Sequence, residues 1–233
     1  MTTIASNLQA VRTAIAGAAA AAGRHADEIS LLAVSKTFGA DAIRDAWKAG
    51  QTCFGESYVQ EALGKLAALG DLPVEWHFIG PIQSNKTRAI AEHFAWVHSV
   101  DRLKIAERLS EQRPTRLPPL QLCLQVNISG EDSKSGILPE EVMALAGAVV
   151  RLPGLKLRGL MAIPAPGDDF AVQRLPFAQL RELYDRLNRQ GFQLDTLSMG
   201  MSHDFAAAIA EGATIVRVGS AIFGDRNYRK DHI

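Results

Sequence analysis

The sequence of 233 residues has no net charge, few cysteines and no long apolar run. Its 25 basic residues balance its 25 acidic residues, so we expect none of the one-sign surface that binds nucleic acid. Cys53 and Cys123 lie in apolar, strand-like contexts, which predicts two buried, reduced thiols and argues against a disulfide framework.

No segment approaches the roughly 18–20 consecutive apolar residues of a membrane span, and the N-terminus has no signal-peptide pattern. We therefore expect a cytoplasmic protein with no membrane partner, present as a monomer or weak dimer. Hydrophobic residues make up 47% of the chain, enough to bury a sizeable core. This predicts a single globular domain over residues 1–233.

Helix and strand patterns alternate along the chain. Apolar residues at helical spacing predict a first helix over residues 3–22. Strands are then expected at 30–35, 52–55, 75–79, 95–99, 120–128, 155–162, 194–198 and 214–218. Helices are expected between them at 40–49, 57–69, 84–93, 101–112, 139–151, 176–190 and 203–211.

This alternation predicts an α/β fold, a (β/α)8 TIM-type barrel with an extra N-terminal helix. A doubly wound open sheet is the competing architecture. Its nucleotide-binding form expects G-x-G-x-x-G after the first strand, where this chain has Ser35-Lys36-Thr37-Phe38-Gly39.

Lys36 follows the apolar run 29–35, which is typical of a strand buried on both faces. The carboxyl end of such a strand lies at the mouth of an α/β fold, where ligands bind. Partial desolvation there lowers the pKa of a lysine and makes it a nucleophile toward carbonyls. A solvated strand-end lysine is the structural alternative.

The loops after strands seven and eight often build a phosphate site in barrels. Ser202 is placed to cap the helix 203–211, and Gly200, followed by Met201, allows a close backbone approach to a ligand. An ordinary helix start, with Asp204 interacting with the helix dipole, is the alternative. Gly219 and Ser220 offer amides and a hydroxyl as the second half of an anion cradle.

Arg217 lies within the apolar eighth strand and needs an acceptor, since a buried unpaired charge is costly. The acceptor is either a carboxylate in a structural ion pair or a ligand. A flat phosphorylated aldehyde fits the second case, with its aldehyde at Lys36, its phosphate in the cradle and its ring at Arg217. Pyridoxal 5′-phosphate has that chemistry.

Segments along the whole chain resemble the pyridoxal phosphate homeostasis protein family. The matching segments are Leu32-Ala33-Val34-Ser35-Lys36, Phe54-Gly55-Glu56, Val59-Gln60-Glu61, Trp76-His77-Phe78-Ile79-Gly80, Gln83-Ser84-Asn85-Lys86, Ser99-Val100-Asp101-Arg102, Val126-Asn127-Ile128, Lys134-Ser135-Gly136, Arg158-Gly159-Leu160-Met161, Ser198-Met199-Gly200-Met201-Ser202 with Asp204, and Arg217-Val218-Gly219-Ser220-Ala221-Ile222-Phe223-Gly224. Many relatives have asparagine where this chain has Ser57, which removes an amide donor and acceptor.

The resemblance implies a fold-type III barrel, like the N-terminal domain of alanine racemase, with the cofactor as a Schiff base on Lys36. It also implies that Arg217 faces the pyridine nitrogen. The candidate cofactor-binding residues are Lys36, Gly200, Met201, Ser202, Arg217, Gly219 and Ser220.

Three functions stay open. The leading one is a protein of vitamin B6 homeostasis that holds pyridoxal phosphate and supplies it to cofactor-dependent apo-enzymes. A racemase also needs a second acid–base group, which in alanine racemases is a tyrosine from an additional domain of the partner subunit. This chain has only Tyr58, Tyr184 and Tyr228, and none of them is an evident second group. The alternatives are a low-activity amino-acid racemase and an aldolase-type Schiff-base enzyme.

Two other polar groups receive structural interpretations. His77 and His98 end strands three and four, but no acidic ligand is grouped with them at useful spacing, so no metal site is expected. The basic helix start 84–88 is expected to be a solvated face, and a second surface site that passes the cofactor onward is the alternative.

Overall fold

Eight parallel strands close into a barrel in chain order, because the first strand pairs with both the second and the last. The computed structural model describes residues 3–131 and 135–224. The strands are Ser30–Val34 (β1), Cys53–Glu56 (β2), Glu75–Phe78 (β3), Trp96–Val100 (β4), Leu120–Gln125 (β5), Leu155–Met161 (β6), Thr196–Ser198 (β7) and Ile215–Val218 (β8). The predicted barrel is confirmed.

Helices connect the strands and surround the barrel. They are Ile4–Ala21 (α1), Ala40–Lys48 (α2), Val59–Ala68 (α3), Thr87–His93 (α4), Leu103–Gln112 (α5), Val142–Val149 (α6), Phe170–Arg189 (α7), Phe205–Ala210 (α8) and Ser220–Phe223 (α9). Short 3-10 turns precede β1, α4 and α6. None of the helices described is long and apolar enough to span a membrane.

The sequence predicts the start of the seventh helix six residues too late. α7 starts at Phe170, because the Asp169 carboxylate accepts the Val172 amide at 2.9 Å and caps the helix. The start predicted at residue 176 is wrong, because a proline is usual in the first turn of a helix whereas Pro176 lies inside α7. The four-residue α9 was not predicted, because its local sequence carries no helical periodicity of that length.

Most of the apolar core lies between the strands and the helices, where the large buried side chains include Phe54, Phe78 and Phe177. A separate small cluster of Trp96, Cys123 and Met161 belongs to the other face of the strands, inside the barrel. Both cysteines are free, but Cys53 is only partly buried, because it stands at the start of β2 near the barrel's amino-terminal mouth.

Candidate functional site

A cavity of about 510 Å³ opens at the carboxyl ends of the strands. This is the end at which (β/α)8 barrels carry their sites. The lining residues are Val34, Lys36, Ser57, Ile79, Ile163, Met201, Ser202, His203, Arg217, Gly219 and Ser220. The fold thus brings together six of the seven predicted site residues, which come from both ends of the chain.

Lys36 lies just beyond β1 and is half-buried in the cavity wall. By strand alternation its side chain follows Leu32 and Val34 toward the barrel interior. The next residue, Thr37, has a left-handed backbone with φ of 72°, which turns the chain sharply away from the strand. This position disfavours the alternative of a fully solvated strand-end lysine.

A buried ionic cluster outside the barrel holds the turn that carries Lys36. Lys65 of α3 donates to the Ser35 carbonyl at 2.8 Å and to Glu56 Oε1 at 2.7 Å. The Ser35 hydroxyl donates to the same Glu56 oxygen, and Glu61 accepts the Thr37 amide at 2.6 Å. Burial raises the pKa of Glu56, against the lowering effect of Lys65.

Arg217 extends from β8 beneath the cavity and is only 4% exposed. Its guanidinium donates to the Ser198 carbonyl at 2.6 Å, the Ser198 hydroxyl at 2.9 Å and the Ala162 carbonyl at 2.9 Å. Among the residues described, no carboxylate forms an ion pair with it, so the structural ion pair is not found. Burial lowers the pKa of Arg217 to about 10, which still leaves it cationic at neutral pH.

The loops after β7 and β8 meet at the cavity. The Ser220 and Ser202 hydroxyl oxygens lie 3.4 Å apart, and Gly219 stands beside them in the wall. The prediction that Ser202 caps the following helix is wrong, because α8 begins at Phe205 with Asp204 in the cap position. The Asp204 carboxylate accepts the Met201 amide at 2.6 Å and so ties the loop to the helix start.

The local backbone requires a glycine at position 200, for reasons that the sequence did not reveal. Its φ is 91°, and a Cβ there would lie 2.6 Å from the Ala208 Cβ. Its carbonyl accepts the Arg217 amide at 2.9 Å. Gly200 is absent from the cavity lining of the described chain, so its backbone shapes the loop that presents Met201 and Ser202.

Five further lining residues were not predicted: Val34, Ser57, Ile79, Ile163 and His203. Ser57 approaches Gly80 so closely that a Cβ on the glycine would lie 2.3 Å from the Ser57 carbonyl oxygen. The Ser99 hydroxyl donates to the Gly80 carbonyl and fixes this contact. Each of these residues ends a strand, follows one closely or lies in the loop after β7, and that position was the available signal.

His77 and His98 contact each other inside the barrel. His77 Nδ1 lies 2.9 Å from His98 Nε2, and His77 Nε2 lies 2.9 Å from Glu75 Oε1. The expectation that no carboxylate is grouped with them is wrong, because Glu75 shares a strand face with His77. Cys53 joins this group, with its sulfur 3.6 Å from Glu75 Oε1. Hydrogen bonds within the protein thus account for the cluster.

The tyrosines do not contribute to the cavity in the described parts of the chain. Tyr58 is 51% exposed at the start of α3. Tyr184 donates its hydroxyl to the Leu194 carbonyl at 2.6 Å, which is a packing role. Tyr228 lies outside the described residues.

The basic segment 84–88 has the features of a helix start on the surface. Within this segment only Thr87 is buried. The exposed Arg88 guanidinium lies 3.8 Å from the Glu92 carboxylate one turn later. These contacts are those expected of a solvated helix face.

A sequence profile described as "Alanine racemase, N-terminal domain" matches residues 4–227. The "Pyridoxal phosphate homeostasis protein" of Pseudomonas aeruginosa is 64% identical over 228 residues, 98% of each chain. The protein of that name from Escherichia coli K12 is 54% identical, with 99% of this chain and 100% of the relative covered.

Among solved structures, PipY of Synechococcus elongatus PCC7942 "with PLP bound" is 40% identical with a TM-score of 0.83, covering 95% of this chain and 100% of PipY. Alanine racemase from Corynebacterium glutamicum is 17% identical with a TM-score of 0.69, covering 98% of this chain and 62% of the racemase. The second likeness shows a shared fold only.

Proposed function

Because the chain belongs to the family of pyridoxal phosphate homeostasis proteins, we propose that it binds pyridoxal 5′-phosphate in the cavity between Lys36 and Arg217. We further propose that it holds this cofactor reversibly and supplies it to cofactor-dependent apo-enzymes. The observation that carries the proposal is the meeting of Lys36, Arg217, Ser202 and Ser220 in one cavity wall.

The residues present fit the cofactor in both chemistry and size. A cavity of about 510 Å³ is within the usual range for small-molecule sites. Arg217 brings a buried positive charge that no carboxylate of the described chain neutralises by ion pairing, which favours an anionic or acceptor ligand. Ser202, Gly219 and Ser220 would hold the phosphate, and the side chains of Val34, Ile79 and Ile163 provide apolar walls.

When bound, the cofactor supplies an aldehyde that condenses with a primary amine, with loss of water. Lys36 would provide that amine, since it is the lysine of the cavity lining. The cluster of Lys65, Glu56 and Glu61 would keep the Lys36 turn in place from outside the barrel. Lys36 thus acts in this proposal as a reversible tether.

The same residues support a carrier better than a racemase. A racemase needs a second acid–base group on the substrate face opposite the lysine. Neither Tyr58 nor Tyr184, the tyrosines within the described ranges, is among the residues that line the cavity. Arg217 donates hydrogen bonds only, so it would leave the pyridine nitrogen largely unprotonated and the ring a weaker electron sink. Racemases tolerate this, so the preference for a carrier rests on the second acid–base group.

Borohydride reduction followed by peptide mass mapping tests the tether. We expect one pyridoxyl adduct, on Lys36, and its loss in Lys36→Ala together with the imine absorbance band. Lys48→Ala is the matched control, because Lys48 is an exposed helix lysine with 65% of its side chain accessible. An adduct that persists on another lysine in Lys36→Ala would overturn the site assignment.

A transfer assay tests the carrier role. The loaded protein is mixed with a pyridoxal-phosphate-dependent apo-enzyme, and recovery of that enzyme's activity is compared with recovery from an equal amount of free cofactor. Incubating the loaded protein with single amino-acid enantiomers in deuterated water provides the opposing test. Sustained exchange of the α-proton at useful rates would favour the racemase over the carrier.

A further inference from the structure

A continuous line of hydrogen-bonded side chains crosses the barrel interior from the cavity to the opposite mouth. Arg217 contacts the Ser198 hydroxyl at 2.9 Å, and that hydroxyl lies 2.8 Å from His98 Nδ1. His98 Nε2 lies 2.9 Å from His77 Nδ1, and His77 Nε2 lies 2.9 Å from Glu75 Oε1. The four bonds join five residues on four different strands.

The middle of the line is enclosed by the barrel. Ser198 and His98 have no exposed surface, and His77 is 3% exposed. The His77 ring stacks on Trp96 with a centroid separation of 5.4 Å and an interplanar angle of 4°, which restricts its rotation. Glu75, with 47% of its side chain accessible, is the point at which the line meets solvent.

The chemistry of the two ends determines the direction of every bond. The His77 hydrogen bond lowers the pKa of Glu75, so its carboxylate is ionised at neutral pH and only accepts. His77 Nε2 must therefore carry hydrogen. Burial lowers the pKa of both His77 and His98, so each neutral ring carries one hydrogen.

It follows that His77 Nδ1 accepts from His98 Nε2, and that His98 Nδ1 accepts from the Ser198 hydroxyl. Since the Ser198 hydrogen is used in this way, its oxygen faces Arg217 as an acceptor. The guanidinium can only donate, so this end of the line is also satisfied. The reverse direction would place the lone pair of His77 Nε2 against a carboxylate oxygen at 2.9 Å.

We propose that Glu75 is a positioning residue for the cofactor site, acting through His77, His98 and Ser198 on the orientation of Arg217. The inference rests on the proposed function only for the identity of the ligand that Arg217 faces. The carboxylate at the amino-terminal mouth keeps the Ser198 oxygen available to Arg217, and this holds the guanidinium beneath the cavity.

Nitrogen-15 NMR of the imidazole rings in the cofactor-free protein tests the direction of the line. We expect both His77 and His98 as the neutral Nε2–H tautomer, each assigned by loss of its signals in a His→Gln variant. Either ring found as the Nδ1–H tautomer or as an imidazolium at pH 7 would overturn the proposal. This measurement does not depend on whether pyridoxal phosphate is the ligand.

Glu75→Gln tests the cause of that direction. A glutamine amide donates as well as accepts, so His77 Nε2 no longer needs to carry hydrogen and the Nδ1–H tautomer becomes populated. Glu92→Gln is the matched control, because Glu92 lines the same surface groove as Glu75 and is not part of the line. Unchanged His77 and His98 tautomers in Glu75→Gln would remove Glu75 from the role.

Titration with pyridoxal phosphate then connects the line to the cavity. We expect Glu75→Gln to weaken cofactor binding by about tenfold, the order of one hydrogen bond to a charged group, and to shift the absorbance maximum of the bound form. Glu75→Asp, which retains an acceptor-only carboxylate, should restore the spectrum at least in part. Wild-type affinity and absorbance in Glu75→Gln would contradict the proposal. If the wild-type protein formed no pyridoxyl adduct on Lys36, only the proposed function would be contradicted.

Discussion

Two buried polar clusters of this barrel support neighbouring parts of one cavity by different physical means. Inside the barrel, two neutral histidines and a serine separate the Glu75 carboxylate from the Arg217 guanidinium. Outside it, the Lys65 ammonium touches the carboxylates of Glu56 and Glu61 directly. The first cluster leads to Arg217, and the second holds the turn that carries Lys36.

The two clusters differ in how completely their buried polar atoms are hydrogen-bonded. Every link of the inner line has a donor and an acceptor once its direction is assigned. In the outer cluster, Glu56 Oε2 is buried and has no hydrogen-bond partner among the residues described. The outer cluster therefore depends on the attraction between charges in a dry environment, and it should respond strongly to loss of its one cation.

Lys65→Met should have the largest effect on stability. Lys65 is 6% exposed, and its removal leaves the Glu56 carboxylate buried without a cation. We expect the free energy of unfolding to fall by about 3–5 kcal/mol, measured by urea denaturation at pH 7. Lys48→Met, at an exposed lysine paired with Asp45, should change it by less than about 0.5 kcal/mol.

The pH dependence of that loss identifies its cause. The pKa of Glu56 is already raised by burial in the wild type, and without Lys65 its folded-state pKa rises further. Such a group stabilises the fold below its unfolded pKa and loses this contribution as pH rises through its folded pKa. The stability difference between wild type and Lys65→Met should therefore narrow from pH 7 toward pH 5. A constant difference over this range would mean that Glu56 is not the stranded charge.

A matched pair of serine substitutions separates the two clusters by function. Ser35→Ala and Ser198→Ala each remove one buried hydroxyl that hydrogen-bonds a charged side chain. We expect each to lower the free energy of unfolding by about 1–2 kcal/mol. Ser198→Ala alone should also weaken pyridoxal phosphate binding by about tenfold, as measured by absorbance titration. Equal effects on binding would show that the two clusters do not differ in this respect.

Thr37→Gly should give the smallest effect, and it should be stabilising. Thr37 has a φ of 72°, which is costly for a β-branched residue and free for glycine. Relief of this strain, less the added entropy of the unfolded chain, should raise the free energy of unfolding by about 0.5–1 kcal/mol. The control Thr13→Gly, in the middle of helix α1, should instead be destabilising by roughly 0.3 kcal/mol.

Much of the fold and of the cavity was predictable from the sequence. Periodicity places all eight strands, and the alternation of elements identifies the barrel. Lys36, Arg217 and Ser220 are recognisable because each polar residue adjoins or interrupts an apolar strand. The start of α7 was missed because Pro176 looks like a helix boundary, while the capping bond from Asp169 places the start six residues earlier.

The remaining features depend on contacts between residues far apart in the chain. Ser198 and His98 are 100 residues apart, yet their hydrogen bond is the central link of the inner line. Ser35 and Glu56 are 21 residues apart and meet only because β1 and β2 are neighbours. Local periodicity and motifs are enough to identify the barrel, the strand-end lysine and the family. The pairing of the buried polar groups is visible only in the folded chain, since barrel closure sets the register that brings those side chains within hydrogen-bonding distance.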